Sequence, residues 1–129
     1  MTRNEKISWL VLRFGLAVTF VLIGIFILRD PISWTGYISP WAIRLLPVAP
    51  EKFMFWTGVL DVLLGIGFLV PSRKIVKIVS LVAVLHLVSV LIGSGINNVT
   101  VRDVGLLGAS VAIFLTFRKG NNERFMEKI

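Results

Sequence analysis

The chain contains no cysteine and a single histidine, His86. The missing thiol excludes disulfides, CxxC redox chemistry, iron–sulfur clusters and cysteine-based zinc sites supplied by this chain. One imidazole cannot give two axial ligands to a haem. Charge is also scarce: 16% of the residues are Asp, Glu, Lys or Arg, against roughly a quarter in ordinary soluble domains. Hydrocarbon fills the space instead. Of the 129 residues, 56% are hydrophobic, the mean hydropathy is +0.87, and the apolar residues come in long blocks. A soluble core of this size does not need so much apolar material, so the expectation is an integral membrane protein of one domain, residues 1–129. The formal charge of +7 is accounted for by the placement of Lys and Arg along the chain and is not a nucleic-acid signal.

Four apolar segments are legible, at about residues 7–28, 53–70, 75–92 and 101–117. The first would be about 33 Å long as a helix, enough to cross a bilayer. Arg3 and Lys6 precede it, as in a signal peptide, but the run is too long and no small-residue cleavage site follows. A retained anchor is therefore expected. Pro71 and Ser72 end the second segment, and the short turn "PSRK" returns the third antiparallel beside it. "GSGINN" breaks the chain before the fourth segment. A charged tail, residues 118–129, is expected to fray. The predicted fold is all-α, an up-down-up-down four-helix bundle in the membrane. No internal repeat and no separate soluble domain are legible.

Residues 29–52 contain four of the five prolines, which excludes one long helix there. Trp34, Tyr37 and Trp41 fall in this stretch, and aromatic rings with polar edges settle at headgroup level. The stretch reads as an interfacial loop with a short helix. It is either a plain connector or a lid over a site. Lys and Arg set the orientation. Arg3, Lys6, Arg73, Lys74, Lys77, Arg118, Lys119, Arg124 and Lys128 fall on one side. Arg29, Arg44, Lys52 and Arg102 fall on the other. The bias places both termini in the cytoplasm of a multi-pass cell-membrane protein, facing anionic inner-leaflet lipid.

The charges inside the apolar segments are the candidate functional residues. Arg13 lies roughly 9 Å into the first segment. It either snorkels to the inner headgroups or serves the bundle interior. Asp61 lies roughly 12 Å into the second segment and has no long stem. It must be neutral or have a partner. An Asp61–Arg102 pair is the expectation, with Arg13 as the other candidate partner. Thr100-x-x-Asp103 fits the capping-box pattern, so Asp103 is expected to satisfy N–H groups at the start of the fourth helix, with direct chemistry as the alternative. His86 sits near the middle of the third segment, with Ser89 and Gly93 on its face. It is either a neutral structural histidine bonded to a carbonyl or hydroxyl, or a relay or ligand residue. Gly58, Gly65 and Gly67, and the stripe Gly105, Gly108, Ala109 and Ala112, suit close backbone approach between helices. None forms a phosphate loop.

"LRFGLAVTF", "DPISWTGYISPW", "GVLDVLLGIGFLVPSRK" and "VRDVGLLGAS" together resemble the DoxX family of small four-helix membrane proteins. The likeness covers about residues 12–112, and "VRDVGLLGAS" is its most specific piece. The family usually carries Glu where this chain has Asp61, which keeps the charge and shortens its reach by one methylene. The resemblance implies a four-helix bundle, membrane residence and an association with redox chemistry, since relatives include a membrane subunit of thiosulfate:quinone oxidoreductase. It marks Arg13, Asp61, Arg102 and Asp103 as the matching charged positions.

Two functions follow as expectations. In the first, the chain is a redox-associated membrane subunit, not an autonomous enzyme. It binds a quinone-like or other amphipathic molecule between its helices, with Arg13, Asp61, His86, Arg102 and Asp103 as the buried network and Trp34, Tyr37 and Trp41 as an aromatic lid. No metal is predicted, and electron transfer would require a soluble or membrane redox partner. In the second, the bundle is a non-catalytic scaffold or anchor for a partner protein, and its charges only set helix register. Homo-oligomers are compatible with both. Transport is a weaker third expectation, because no segment shows the broken helix at the midplane that marks many transporters.

Overall fold

The structure, a computed structural model, describes residues 2–116; the expected tail and residue 117 lie outside the described residues. Those residues form helices and no strands. Helix α1, Arg3–Arg29, begins four residues before the apolar run because Thr2 and Glu5 form a capping box. The Thr2 hydroxyl accepts from the Glu5 N–H at 3.2 Å, and the Thr2 N–H donates to the Glu5 carboxylate at 2.8 Å, so two orphan donors are satisfied reciprocally. The apolar pattern alone missed this start. Asp30 leaves helical geometry ahead of Pro31, as residues before proline tend to.

Proline then punctuates the chain. It opens α2 (Pro31–Trp34), α3 (Pro40–Leu45) and α4 (Pro50–Leu69), each at a first helical position where the missing N–H costs nothing. A 3₁₀ turn, Thr35–Tyr37, links α2 to α3. The connector is thus two short helices and a turn, more structured than a loop with one helix. Helix α5, Arg73–Ser94, is capped by the Ser72 hydroxyl and ends at Gly95, whose φ of 70° suits glycine. Helix α6 is Val101–Thr116.

Helices α1 and α4 make the most extensive pairing, α5 with α6 the next, and α4 with α5 a slighter one. Glycine allows the first. Gly24 of α1 lies against Gly58 and Val62 of α4, and Gly65 of α4 lies against Ala17 and Val21 of α1. The order of these contacts makes the pair antiparallel. A Cβ on Gly65 would stand 2.7 Å from the Ala17 carbonyl oxygen and 2.9 Å from the Val21 nitrogen. Both are backbone atoms and cannot swing aside. Phe20 and Phe68 stack beside this contact with centroids 5.9 Å apart. Gly67 meets Val79 and brings α4 against α5.

The small residues of α6 behave differently from expectation. Nothing lies within 4 Å of where a Cβ on Gly105 or Gly108 would stand. With Ala112 they are exposed. Of the stripe, only Ala109 packs on the core; Gly105, Gly108 and Ala112 face outward. The face that α6 buries carries Ser110 and Ile113, with Leu106 and Leu107 packed on the core. The buried face of α6 is thus a mixture of large and small side chains, rotated away from Gly105 and Gly108.

The outward surfaces are as apolar as the inward ones. Helix α1 buries Leu16, Ala17, Phe20, Gly24 and Ile27 but exposes Leu10, Val11, Phe14, Leu22 and Phe26. A soluble monomer rarely shows such a continuous apolar surface. Helices α1, α4 and α5 are each long and apolar enough to cross a membrane, which is compatible with an integral membrane protein. The described part of α6, 16 residues, would measure about 24 Å.

Because its new methyl meets backbone, Gly65→Ala is expected to cost about 1–3 kcal/mol by overpacking. Gly108→Ala, in open space, should leave stability unchanged or raise it by up to about 1 kcal/mol through helix propensity. Thermal unfolding of both variants in mild detergent measures the contrast.

Candidate ligand cavity

Asp61 is 5% exposed in the middle of α4. The side chain that answers it is His86 of α5, whose Nε2 lies 2.8 Å from Asp61 Oδ1. This replaces the expected Asp61–Arg102 pair. The reason is register. The tight turn at Pro71 brings α5 back directly alongside α4, and 25 residues of hairpin place His86 level with Asp61. His86 therefore does not take a carbonyl or hydroxyl as its partner. The Ser89 hydroxyl is spent locally, donating to the Leu85 carbonyl at 2.8 Å.

Arg13, the other candidate partner, is engaged elsewhere. Its Nε donates to the Phe68 carbonyl at 3.0 Å and its Nη2 to the Val70 carbonyl at 2.9 Å. It caps the C-terminal end of α4, where unpaired carbonyls and the negative end of the helix dipole favour a cation. It has no part in the Asp61 site.

The start of α6 also departs from the capping-box reading. The carboxamide oxygen of Asn97 accepts from the N–H groups of Val99 and Thr100 at 2.8 and 3.0 Å. The Thr100 hydroxyl, 3% exposed, accepts from the Asn97 N–H at 2.9 Å and donates to the Gly95 carbonyl. Asn97 thus organises the turn and Thr100 points inward. Asp103 and Arg102 of the first helical turn line a cavity instead.

That cavity measures about 520 Å³ and joins the separate observations into one site. Asp61 and His86 lie on its wall, Arg102 and Asp103 reach it from α6, and most of the remaining lining is apolar. Phe20, Ile23 and Ile27 of α1 close one side. The connector closes the end: Trp34 and Tyr37 line the cavity with their rings 5.7 Å apart. Buried Ile38 packs with Ile27 and Met54 beneath them. The connector is tied down by one backbone bond, from the Ser39 N–H to the Gly93 carbonyl at 3.0 Å. Of the three aromatic residues expected in a lid, Trp41 does not line the cavity. It is half exposed on α3, because the 3₁₀ turn and Pro40 rotate it away from Trp34 and Tyr37.

Sequence reasoning missed Phe53 and Trp56 of α4, which line the cavity. The available signal was a Trp five positions before a carboxylate inside an apolar run. Few polar groups converging in an apolar pocket of several hundred Å³ is the usual make-up of a small-molecule site. Among the described residues no group of three or more His, Asp or Glu side chains could hold a metal ion.

No protein-family model, curated protein or solved structure matches this chain. Its function is therefore argued from the cavity.

Removing one member of the pair should leave the other buried and unsatisfied, a loss of about 1–3 kcal/mol. Asp61→Leu and His86→Leu should each show it, and Asp61→Asn, which keeps an acceptor, should lose less. The double variant should lose less than the sum of the single ones. Arg102→Ala should have little effect on stability. Unfolding of the four variants and the double variant in the same detergent measures the coupling.

Proposed function

We propose that the protein is an integral membrane four-helix bundle that binds a quinone-like amphipathic molecule in the cavity beside Asp61 and His86. In this reading α1, α4, α5 and α6 cross the cell membrane up-down-up-down, with both termini cytoplasmic and the α2–α3 connector on the outer side. The observation that carries the reading is one buried acid–imidazole pair on the wall of a largely apolar chamber covered by Trp34 and Tyr37. A flat ring with polar oxygens at its edge matches that arrangement. The ring lies among apolar walls, and its carbonyl or hydroxyl oxygens meet His86, Asp61 and, at the mouth of α6, Arg102. The resemblance to the DoxX family supports the same reading by analogy, through its quinone-linked relatives.

The pair can donate, accept or pass a proton at the ligand's oxygen. Electrons need a route of their own, and a chain without thiols supplies no sulfur-bound centre for one. The protein therefore acts as the ligand-binding subunit of an oxidoreductase whose redox partner carries the electrons. The scaffold reading draws on a different feature, the outward small-residue face of α6, which suits close packing against another membrane helix.

Trp34 and Trp56 line the cavity and report its occupancy. Titrating the purified protein with decylubiquinone should quench their fluorescence saturably. His86→Leu should weaken the apparent affinity tenfold or more, while Arg13→Gln, at the far end of α4, should not. Quenching that rises linearly with quinone and is the same in all three proteins defeats the proposal.

A further inference from the structure

The cavity wall has a gap. Seven of its lining side chains are also exposed on the outside of the chain: Tyr37 and Arg102 at the connector end, and five others that form two stripes. Phe53 and Trp56 lie one turn apart on α4; Val82, Leu85 and Ser89 lie on one face of α5. Trp56 is 65% exposed and Leu85 60%, so these side chains are at once wall and outer surface. They mark a mouth between α4 and α5.

The fold explains why the mouth is there. The two helices are held together near their turn by Gly67 against Val79, and farther along by the Asp61–His86 bond. Over its length α4 packs chiefly on α1, and α5 chiefly on α6. The cavity runs from one turn below the Asp61–His86 bond toward the connector, lined by α4 from Phe53 to Asp61 and by α5 from Val82 to Ser94. The end toward water is covered by Trp34, Tyr37 and Ile38 and held by the Ser39–Gly93 bond. The side toward lipid is bordered by Phe53, Trp56, Val82 and Leu85. The hydroxyls there, on Ser89 and Thr57, already bond the Leu85 and Phe53 carbonyls. An apolar mouth without a free donor favours hydrocarbon over water.

Resting on the reading of the cavity as a ligand site, we propose that it opens sideways into the bilayer between α4 and α5, and that its ligand is a long-tailed, membrane-dissolved molecule. The head sits at Asp61 and His86. The tail leaves past Trp56 and Leu85 into the leaflet on the connector side. A chamber of about 520 Å³ takes a ring-sized head and a short length of chain, so a longer tail must lie outside it. Water-soluble, tailless rings gain nothing from the mouth.

The absence of native cysteine makes the test direct. Trp56→Cys with Ser89→Cys, in phosphatidylcholine nanodiscs, is joined across the mouth by a short bismaleimide. The control is the same variant capped with N-methylmaleimide. Association of decylubiquinone, followed through Trp34, should slow at least tenfold in the joined protein relative to the capped one. Equal rates in the two overturn the sideways route. The tail is tested on the unmodified protein, where decylubiquinone should bind at least tenfold more tightly than 2,3-dimethoxy-5-methyl-1,4-benzoquinone at equal mole fraction in the lipid. Equal affinity overturns the assignment of a tailed ligand. A readout without quinone separates this proposal from the one it rests on. Bimane on Ser89→Cys should be quenched by lipids brominated in the acyl chain and not by aqueous iodide. Quenching by iodide alone overturns the lipid-facing mouth, whatever the protein binds. Lipid quenching with no quinone bound overturns the quinone ligand and leaves the mouth standing.

Discussion

An acid and an imidazole that meet at 2.8 Å in the middle of an apolar hairpin set most of what this protein can do. Neither helix could hold its polar group at that depth alone, because an unpaired polar group in hydrocarbon is costly. Pairing removes much of that cost and ties α4 to α5 at one level. On the turn side of the tie the helices pack through Gly67 and Val79. On the other side lies the cavity. The same bond is thus a fastening between helices and the polar wall of the chamber. The two roles need no separate residues.

The remaining packing divides along that line. In the α1–α4 pair, glycine faces backbone at Gly24, Gly58 and Gly65. Such approach gains dispersion, which is the main attraction available to apolar helices whose outer faces are as apolar as their inner ones. The buried faces of α5 and α6 mix Leu87, Val76 and Ile113 with the small Ser80, Ala83 and Ser110. The rigid α1–α4 face and the α5–α6 face enclose the cavity between them, and the proline-initiated connector covers one end. Arg13 serves this frame from the opposite end of α4 by closing its open carbonyls. The charges of the apolar segments therefore fall into two groups. One secures a helix terminus, and the other faces the cavity.

Several of these arrangements are legible in the amino-acid sequence. Long apolar runs of Leu, Val and Ile with few charges dictate helices of membrane length, since a chain in lipid must satisfy its own backbone. Proline at positions 31, 40, 47 and 50 forbids a continuous helix there. Asp61 had to have company, and His86 was among the residues singled out. Both facts are local, a matter of composition and spacing.

The partner of Asp61 was not local. Arg102 has the longer reach and the stronger charge, and on one dimension it was the better candidate. Helix register decided for His86, because the hairpin at Pro71 fixes which α5 residue stands level with Asp61. The same holds for Trp41, turned away by a 3₁₀ turn that no periodicity announces, and for Gly105 and Gly108, whose face points outward while Ser110 and Ile113 take the inward one. The amino-acid sequence by itself determined that there are oily helices, where they break, and that a carboxylate among them needs a partner. Only the tertiary structure decided which partner, which glycines touch and which residues line the cavity, because each depends on the rotation of one helix against another. A periodic apolar pattern leaves that rotation open when every face is equally apolar.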